Sequence, residues 1–330
     1  MTDPVRGLVS TIIPVHNRPQ LLREAVASVL AQTHRPIEIV IVNDGSEDET
    51  GAICDQLAIT HASLITVIHQ TNAGPAAARQ AGLELCTGEF IQYLDSDDLL
   101  LPNKFAAQVA GLNEQPDCGV SYGMTRRYRI GEPVEDNAIL RTFELIEPLF
   151  PSMLQSRWWS TSTPLFRRST CDRAGPWNTQ LHNEEDWEHD CRVAALGTRL
   201  HFVPEFVSET RDHDGAQLHA TAHSEQAKLR FRAKAHGLIL RHAQRAGITA
   251  EQPQMQHFAR ELFLLCRQCG AQGLSTQAQD LSALAIEASM PERARSWDFK
   301  LYRFGARIVG WQACGRVSRY FDLLRRALAR

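Results

Sequence analysis

Two periodicities alternate along the first part of this chain. Short, mostly apolar runs recur at Val9–Val15, Glu38–Val42, Leu64–His69 and Phe90–Leu94, the lengths expected of buried strands. Helical patterns lie between them, as in Gln20–Gln32 and the small-residue run Ala76–Gly82, which is entered through Gly74-Pro75. This alternation predicts β-α-β units and an α/β fold with a mostly parallel sheet flanked by helices. Ligands of such sheets bind beyond the carboxyl ends of the strands. Pro14, Asp44, Arg79 and Asp95 all fall after predicted strands, so they are expected to line one crevice. Less regular strands and loops follow, including Gly119–Tyr122 and the aromatic Trp158-Trp159. From about residue 216 the period becomes helical. Met255, Phe258, Leu262, Leu265 and Cys269 recur at spacings of three and four. Thr249 and Gln252 have capping-box spacing before that stripe, Gly270 can end it, and Ser275–Ser289 reads as a partner helix. The pattern divides the chain at 1–115, 116–215 and 216–330.

Chemistry concentrates at Asp95-Ser96-Asp97-Asp98, directly after the run Phe90–Leu94. Three carboxylates at a strand end repel one another unless a cation neutralises them. Hard divalent cations such as Mg²⁺ and Mn²⁺ prefer such oxygen ligands. Taken alone, the same residues would equally form an acidic loop capping the next helix.

Further segments decide the matter. Ile13-Pro14-Val15-His16-Asn17-Arg18, Ala27–Thr33, Asn43-Asp44-Gly45-Ser46, Asn72–Gly82, Gly88-Glu89-Phe90 and Leu94–Asp98 occur in that order. Together they resemble a family 2 glycosyltransferase of GT-A fold. The likeness is strong over about residues 8–115 and looser to about 215. It implies an inverting transfer of sugar from a nucleotide sugar, a UDP-sugar, to an acceptor hydroxyl.

The resemblance also assigns roles. Asp44 would accept a hydrogen bond from the uracil imide N–H, where its plain reading is an Asp-Gly turn. Asn17 would shape the same pocket, with Pro14 and Ser96 also on the donor side. Arg79 would reach the base or the diphosphate, or else be a surface arginine. Asp95 and Asp97 match the D-x-D pair, with Asp97 the direct metal ligand and Asp95 on ribose or metal. His213 matches a histidine near the metal or diphosphate, although Thr210 stands where an aromatic often opens that segment. Asn183–Trp187 resembles the acceptor-side signature, in which a carboxylate opening a helix acts as general base. That match falls on Glu185 and Asp186, with Asp186 preferred. Acids favoured by a helix N-terminus are the alternative. No Q-x-x-R-W signature of processive members occurs, which favours single transfer.

Composition excludes several classes. A net charge of −3 gives no global reason to bind nucleic acid. No H-E-x-x-H appears, and Cys266-Arg267-Gln268-Cys269 stands without a second pair, so zinc chemistry is not expected. The eight cysteines are scattered and are expected to pack as small hydrophobes. No leader is evident at Met1–Gly7 and no apolar run approaches the ~20 residues of a membrane span. A reduced, cytoplasmic setting is therefore expected. The last forty residues differ in charge from the rest. Residues 291–330 hold nine arginines and one lysine against three acids, a net of +7, which leaves −10 on the rest. Seven aromatics are interleaved with those cations. Such a segment suits an anionic membrane surface and a lipid-linked saccharide acceptor, or else docks its aromatic face on the enzyme. Two rivals stand beside the enzyme reading. A catalytically silent nucleotide-sugar-binding or assembly subunit would keep the fold. A nucleotidyltransferase would need a glycine-rich basic loop after the first strand, and Pro14–Pro19 is not one.

Overall fold

A computed structural model describes residues 3–132, 139–140, 144–213, 224–294 and 296–328. The chain opens with β1 (Val5–Val15), α1 (Pro19–Leu30), β2 (Ile37–Asp44), α2 (Thr50–Thr60), β3 (Ile65–Gln70), α3 (Pro75–Leu85) and β4 (Gly88–Tyr93). It continues through β5 (Leu99–Leu100), α4 (Lys104–Glu114), β6 (Cys118–Arg129), β7 (Ile139–Leu140), α5 (Leu149–Ser152), β8 (Leu165–Arg167), α6 (Arg168–Ala174), α7 (Glu185–Ala195) and β9 (Arg199–Asp212). The rest is helical: α8 (Glu225–Arg245), α9 (Pro253–Ala271), α10 (Ser275–Glu287), α11 (Pro291–Ala294), α12 (Trp297–Val309) and α13 (Trp311–Leu328).

The strands form one sheet in the order β3-β2-β1-β4-β8-β6-β9-β5, with β7 paired to β6. β3, β2, β1 and β4 run parallel, whereas β8 is antiparallel to both β4 and β6. The predicted α/β architecture is therefore observed, with antiparallel pairs added in its second half. The inner parallel strands β2, β1 and β4 are buried on both faces, which is why their sequences are largely apolar, whereas β3 at the edge is partly exposed. Val9, Ile13, Ile39 and Ile41 enter one core layer with Leu22 and Val26 of α1. Ile12, Val40, Val42 and Ile91 enter the other layer with Ala76 and Ala78 of α3. The two layers alternate along each strand, as the pleat requires.

Small residues let α3 lie close to the sheet. A Cβ on Gly82 would meet Ile12 Cγ2 at 2.5 Å and Val42 Cγ2 at 3.3 Å. That contact fixes where Arg79, on the same helix, is held.

Three local expectations change. Pro14 lies inside β1, paired with Val42, rather than after the strand. The β1–β4 pairing ends at Ile12–Tyr93, and Leu94 N donates to the Ile12 carbonyl, so Pro14 falls beyond the last ladder pair with β4. Gln252, not Thr249, is the residue preceding α9, and its side chain accepts from the Thr249 N–H. Gly270 does not end α9, which runs to Ala271. Its bare Cα admits the Trp311 carbonyl, which a Cβ would meet at 2.7 Å.

The expected stripe on α9 is buried, and α10 packs on it as its partner. All eight cysteines are free; seven are buried and Cys314 is half-buried. Burial raises their thiol pKa values, Cys54 and Cys171 to about 12, so they behave as packing groups. No described helix is long and apolar enough to cross a membrane.

Candidate active site

The carboxyl ends of β1, β2 and β4 converge, as parallel topology dictates. At the β2 end, Asp44 is buried and accepts from Ala73 N (2.8 Å), Gly74 N (2.9 Å) and Gln70 Nε2 (2.7 Å). It ties β2 to the entry of α3. A carboxylate offers about four lone-pair sites, so capacity for one further donor remains. Asn17 adopts a left-handed turn (φ 52°) after β1. Its Oδ1 accepts from Glu47 N (2.8 Å), and its own N–H donates to Ser46 Oγ (3.0 Å). Asn17 thus joins the first two strand ends.

The acidic turn after β4 spreads its side chains in different directions. Asp95 Oδ1 accepts from Arg79 Nη2 at 2.8 Å. Asp97 Oδ2 accepts from Arg18 Nη1 at 2.6 Å and lies 3.2 Å from His213 Nε2. Asp98 turns inward, where Ser162 Oγ (2.8 Å) and Arg211 N (3.3 Å) donate to it. Burial first, then Asp95 and Asp97, push the Asp98 carboxyl well above the usual range. Ser96 is buried, and its hydroxyl has no partner among the described residues.

Arg79 is the joint of the site. It is buried, its Nη1 donates to Glu185 Oε1 at 2.9 Å, and its guanidinium stacks over Trp177 at 4.9 Å. Burial disfavours its charge, but Asp95, Glu185 and Asp186 outweigh that and hold it more firmly protonated than usual. One arginine therefore links the turn after β4 to the start of α7. Arg79 is not a surface residue.

Glu185 and Asp186 open α7 but differ in setting. Glu185 is fully buried against Arg79. Asp186 is half-buried and pairs with Arg157; both acids border a cleft of about 430 Å³ with Gln155, Ser156, Asn183, Glu184 and Trp187, but only Asp186 is partly open to it. A larger cleft, about 550 Å³ beside Phe150 and Arg199, contains none of these residues. Glu184, just before α7, sits in a left-handed conformation (φ 60°) and reaches Arg232 (2.8 Å) and His236 (3.1 Å) on α8. Burial would raise the Glu184 carboxyl, but His236 and Arg232 outweigh it and hold the pKa below the usual value.

The donor set suits a hard cation of the Mg²⁺ or Mn²⁺ kind. Asp97 offers carboxylate oxygen with His213 nitrogen beside it, and Asp95 stands two residues away. Among the described residues no group of three or more Asp, Glu, His or Cys side chains is placed to hold a metal ion, and Asp97 and Asp95 pair instead with Arg18 and Arg79. These cations typically keep waters and take substrate phosphates, so a full protein cage is not required.

The structure thus brings together Asp95, Asp97, Arg79, Glu185, Asp186 and His213, with Asn17 and Asp44 bracing the neighbouring strand ends. It adds residues that sequence reasoning missed. Arg18 and Arg157 each hold a candidate carboxylate, and Ser162 bridges the Asp95 N–H and Asp98. Arg18 ended a quoted motif, but nothing in that motif specifies a partner 79 residues away.

The sequence model of glycosyl transferase family 2 matches residues 10–168. An uncharacterized glycosyltransferase of Rickettsia prowazekii is 40% identical over 107 residues, 32% of this chain and 32% of its own length. The uncharacterized glycosyltransferase EpsJ of Bacillus subtilis is 33% identical over 172 residues, 51% of this chain and 50% of the relative. The chain thus spans between a third and a half of these relatives. Among solved structures, S. aureus TarS 1–349 in complex with UDP-GlcNAc superposes with a TM-score of 0.69 at 18% identity, covering 96% of this chain and 91% of TarS. The mannosyltransferase PcManGT of Pyrobaculum calidifontis, in complex with GDP-Man and Mn²⁺, gives 0.51 at 18% identity over 97% and 88%. The shared architecture is the GT-A fold, and the likeness to glycosyl transferase family 2 lies in residues 10–168.

Proposed function

We propose that this chain is an inverting, metal-dependent glycosyltransferase that moves a sugar from a UDP-sugar to an acceptor hydroxyl, in cell-surface polysaccharide or glycolipid assembly. The observation that carries the reading is Arg79, which joins Asp95 of the D-x-D turn to Glu185 at the head of the acceptor helix. Donor and acceptor chemistry then share one crevice. The UDP-GlcNAc held by TarS and the Mn²⁺ held by PcManGT support the donor class and the cation class.

Residues 1–115 form the donor half, 116–215 the acceptor half, and 216–330 a helical region. Asp44 and Asn17 receive the base, and Pro14 and Ser96 shape the surrounding wall. Asp97, Asp95 and His213 hold Mn²⁺ or Mg²⁺, which when bound neutralises the charge developing on the leaving diphosphate. Asp186 takes the acceptor hydroxyl proton as that oxygen forms a bond to the anomeric carbon. The bond from that carbon to the diphosphate oxygen breaks, and the electron pair leaves with the nucleoside diphosphate. Attack from the opposite face inverts the centre. Glu185 positions Arg79 rather than moving a proton. The acceptor is a saccharide or lipid-linked saccharide, and the enzyme works in the cytoplasm or on the anionic inner face of the membrane through 291–330. Nucleic acid has no part in it.

Turnover of a UDP-sugar panel, measured after EDTA treatment and after adding back Mn²⁺, tests the proposal. Activity is expected to vanish and return. Asp97→Asn is expected to lower turnover by about two orders of magnitude or more. Full activity in EDTA after exhaustive dialysis would sink the metal reading. Donor binding with no turnover under any condition would leave the rival binding subunit standing.

A further inference from the structure

The basic tail divides its apolar residues between two faces of α12. On one face Phe299, Tyr302 and Ala306 are buried, and Phe263 of α9 lies 4.3 Å from the Phe299 ring and 5.4 Å from the Tyr302 ring. On the opposite face Trp297, Leu301, Phe304 and Ile308 are 85%, 68%, 63% and 65% exposed. Their spacing of four, three and four places them in a single stripe along the helix. Neither reading of the tail from sequence is complete, since α12 docks on the enzyme and also presents a second apolar face.

Charge identifies what that face meets. Lys300 lies one turn from both Trp297 and Phe304, and Arg307 lies one turn beyond Phe304. Both cations are exposed, and Arg303 is half-buried beside them. The helix therefore carries an apolar stripe with a cationic flank, inside a segment of +7 on a chain otherwise at −10. A second copy of α12 laid against the first would bring like charges together. An anionic lipid surface takes the stripe into its acyl boundary and the flank onto its headgroups.

We infer that the outer face of α12, Trp297, Leu301, Phe304 and Ile308 with Lys300 and Arg307, docks on an anionic lipid bilayer. The inference deepens the proposed membrane-face reading and rests on it only for its purpose, since binding is measured without acceptor or transfer. The docked inner face holds α12 rigid, so the outer stripe is presented ready-formed and little ordering cost attends binding.

The test is co-sedimentation of the full chain with vesicles of equal parts phosphatidylglycerol and phosphatidylcholine, and with phosphatidylcholine alone. The wild type is expected to sediment with the anionic vesicles at low salt, less so at about 0.15 M salt, and hardly with the neutral ones. Serine at all four stripe positions is expected to weaken binding about tenfold or more, with an unchanged melting temperature because the positions are exposed. Lys300→Glu with Arg307→Glu, which leaves the stripe intact, is expected to abolish the preference for anionic lipid. UDP-sugar hydrolysis in solution is expected to be equal in all three proteins. A wild type that ignores anionic vesicles, or a serine variant that binds them as well as wild type, overturns the inference. So does a wild-type dimer in sedimentation velocity that the serine variant loses, because a second copy then covers the face. Loss of hydrolysis in every protein with vesicle binding intact would instead count against the proposed activity.

Discussion

Glu185 and Asp186 are adjacent acids with different surroundings, and the difference predicts different phenotypes. Asp186 lines the open cleft, so Asp186→Asn is expected to lower transfer by roughly 10²–10⁴-fold while calorimetry finds donor affinity near that of the wild type. Glu185 is buried on Arg79. Glu185→Gln keeps a hydrogen-bond acceptor but leaves a buried guanidinium short of countercharge, at a cost of roughly 1–3 kcal/mol. It is expected to lower the melting temperature and donor affinity before it lowers the chemical step. If both variants lose transfer alike with unchanged melting, the division of labour is wrong. At this scale the sequence was legible in part. The acids announce themselves, because three carboxylates crowd one strand end and three more precede Trp187. Their partners do not. Arg18 lies 79 residues from Asp97 and Arg79 lies 106 from Glu185, and only the topology makes them neighbours.

Between the strands, helix α3 shows how an element sets a site residue. Its alanines and Gly82 carry little volume, and that lets it press against Ile12 and Val42. Gly82→Ala gains about 1 kcal/mol of helix propensity but forces a methyl to 2.5 Å from Ile12. Overpacking of that kind costs about 1–3 kcal/mol, so the net effect on stability is small or unfavourable. Donor affinity is the sharper measurement, because a shifted α3 moves Arg79; an unaltered dissociation constant would show that the helix has slack. Lys104, at the start of α4, offers a second test. It is fully buried, with Nζ donating to Gln108 Oε1 (2.7 Å) and Thr163 O (2.5 Å), and burial pushes its pKa well below the ordinary lysine value. The unfolded chain keeps that proton up to a pH of about 10.4. Between the lowered folded value and that pH, the unfolded state holds more protons, so stability rises with pH. From pH 7 to 9 the wild type is expected to gain up to about 1.4 kcal/mol per pH unit relative to Lys104→Met. Parallel denaturation curves for the two proteins would mean that Lys104 keeps its proton in the fold. The strands and helices that place these residues were readable from periodicity, since the inner parallel strands β2, β1 and β4 are largely apolar on both faces. The exact ends were not, because Pro14 and Gly270 are tolerated by neighbours that sequence does not reveal.

Across the whole molecule, the helical region braces the sheet-bearing part at the head of α7. Glu184 reaches Arg232 and His236 of α8, Glu188 accepts from His242 at 2.8 Å, and Trp187 stacks edge-on against His236 at 5.2 Å. Asp186 stands between Glu184 and Trp187, so the proposed base is held from both sides by contacts that lie outside the sheet. A helical addition remote from the strands thus touches the proposed site, and its own stripe on α9 gave no sign of that contact. The clamp has a pH signature. His236 and Arg232 hold the Glu184 carboxyl below its usual pKa, so the pair contributes stability above the unfolded value of about 4.3. That contribution is lost as pH falls through the lower folded value. Thermal melts between about pH 5 and pH 3 are therefore expected to drop more steeply for the wild type than for Glu184→Gln, which is already weaker at pH 7. At pH 7 the same variant is expected to raise the acceptor KM and lower kcat several-fold with donor affinity unchanged, because only the acceptor side loses its brace. Equal acid sensitivity in the two proteins, or a defect confined to donor binding, would show that the helical region merely adds stability and leaves the base alone.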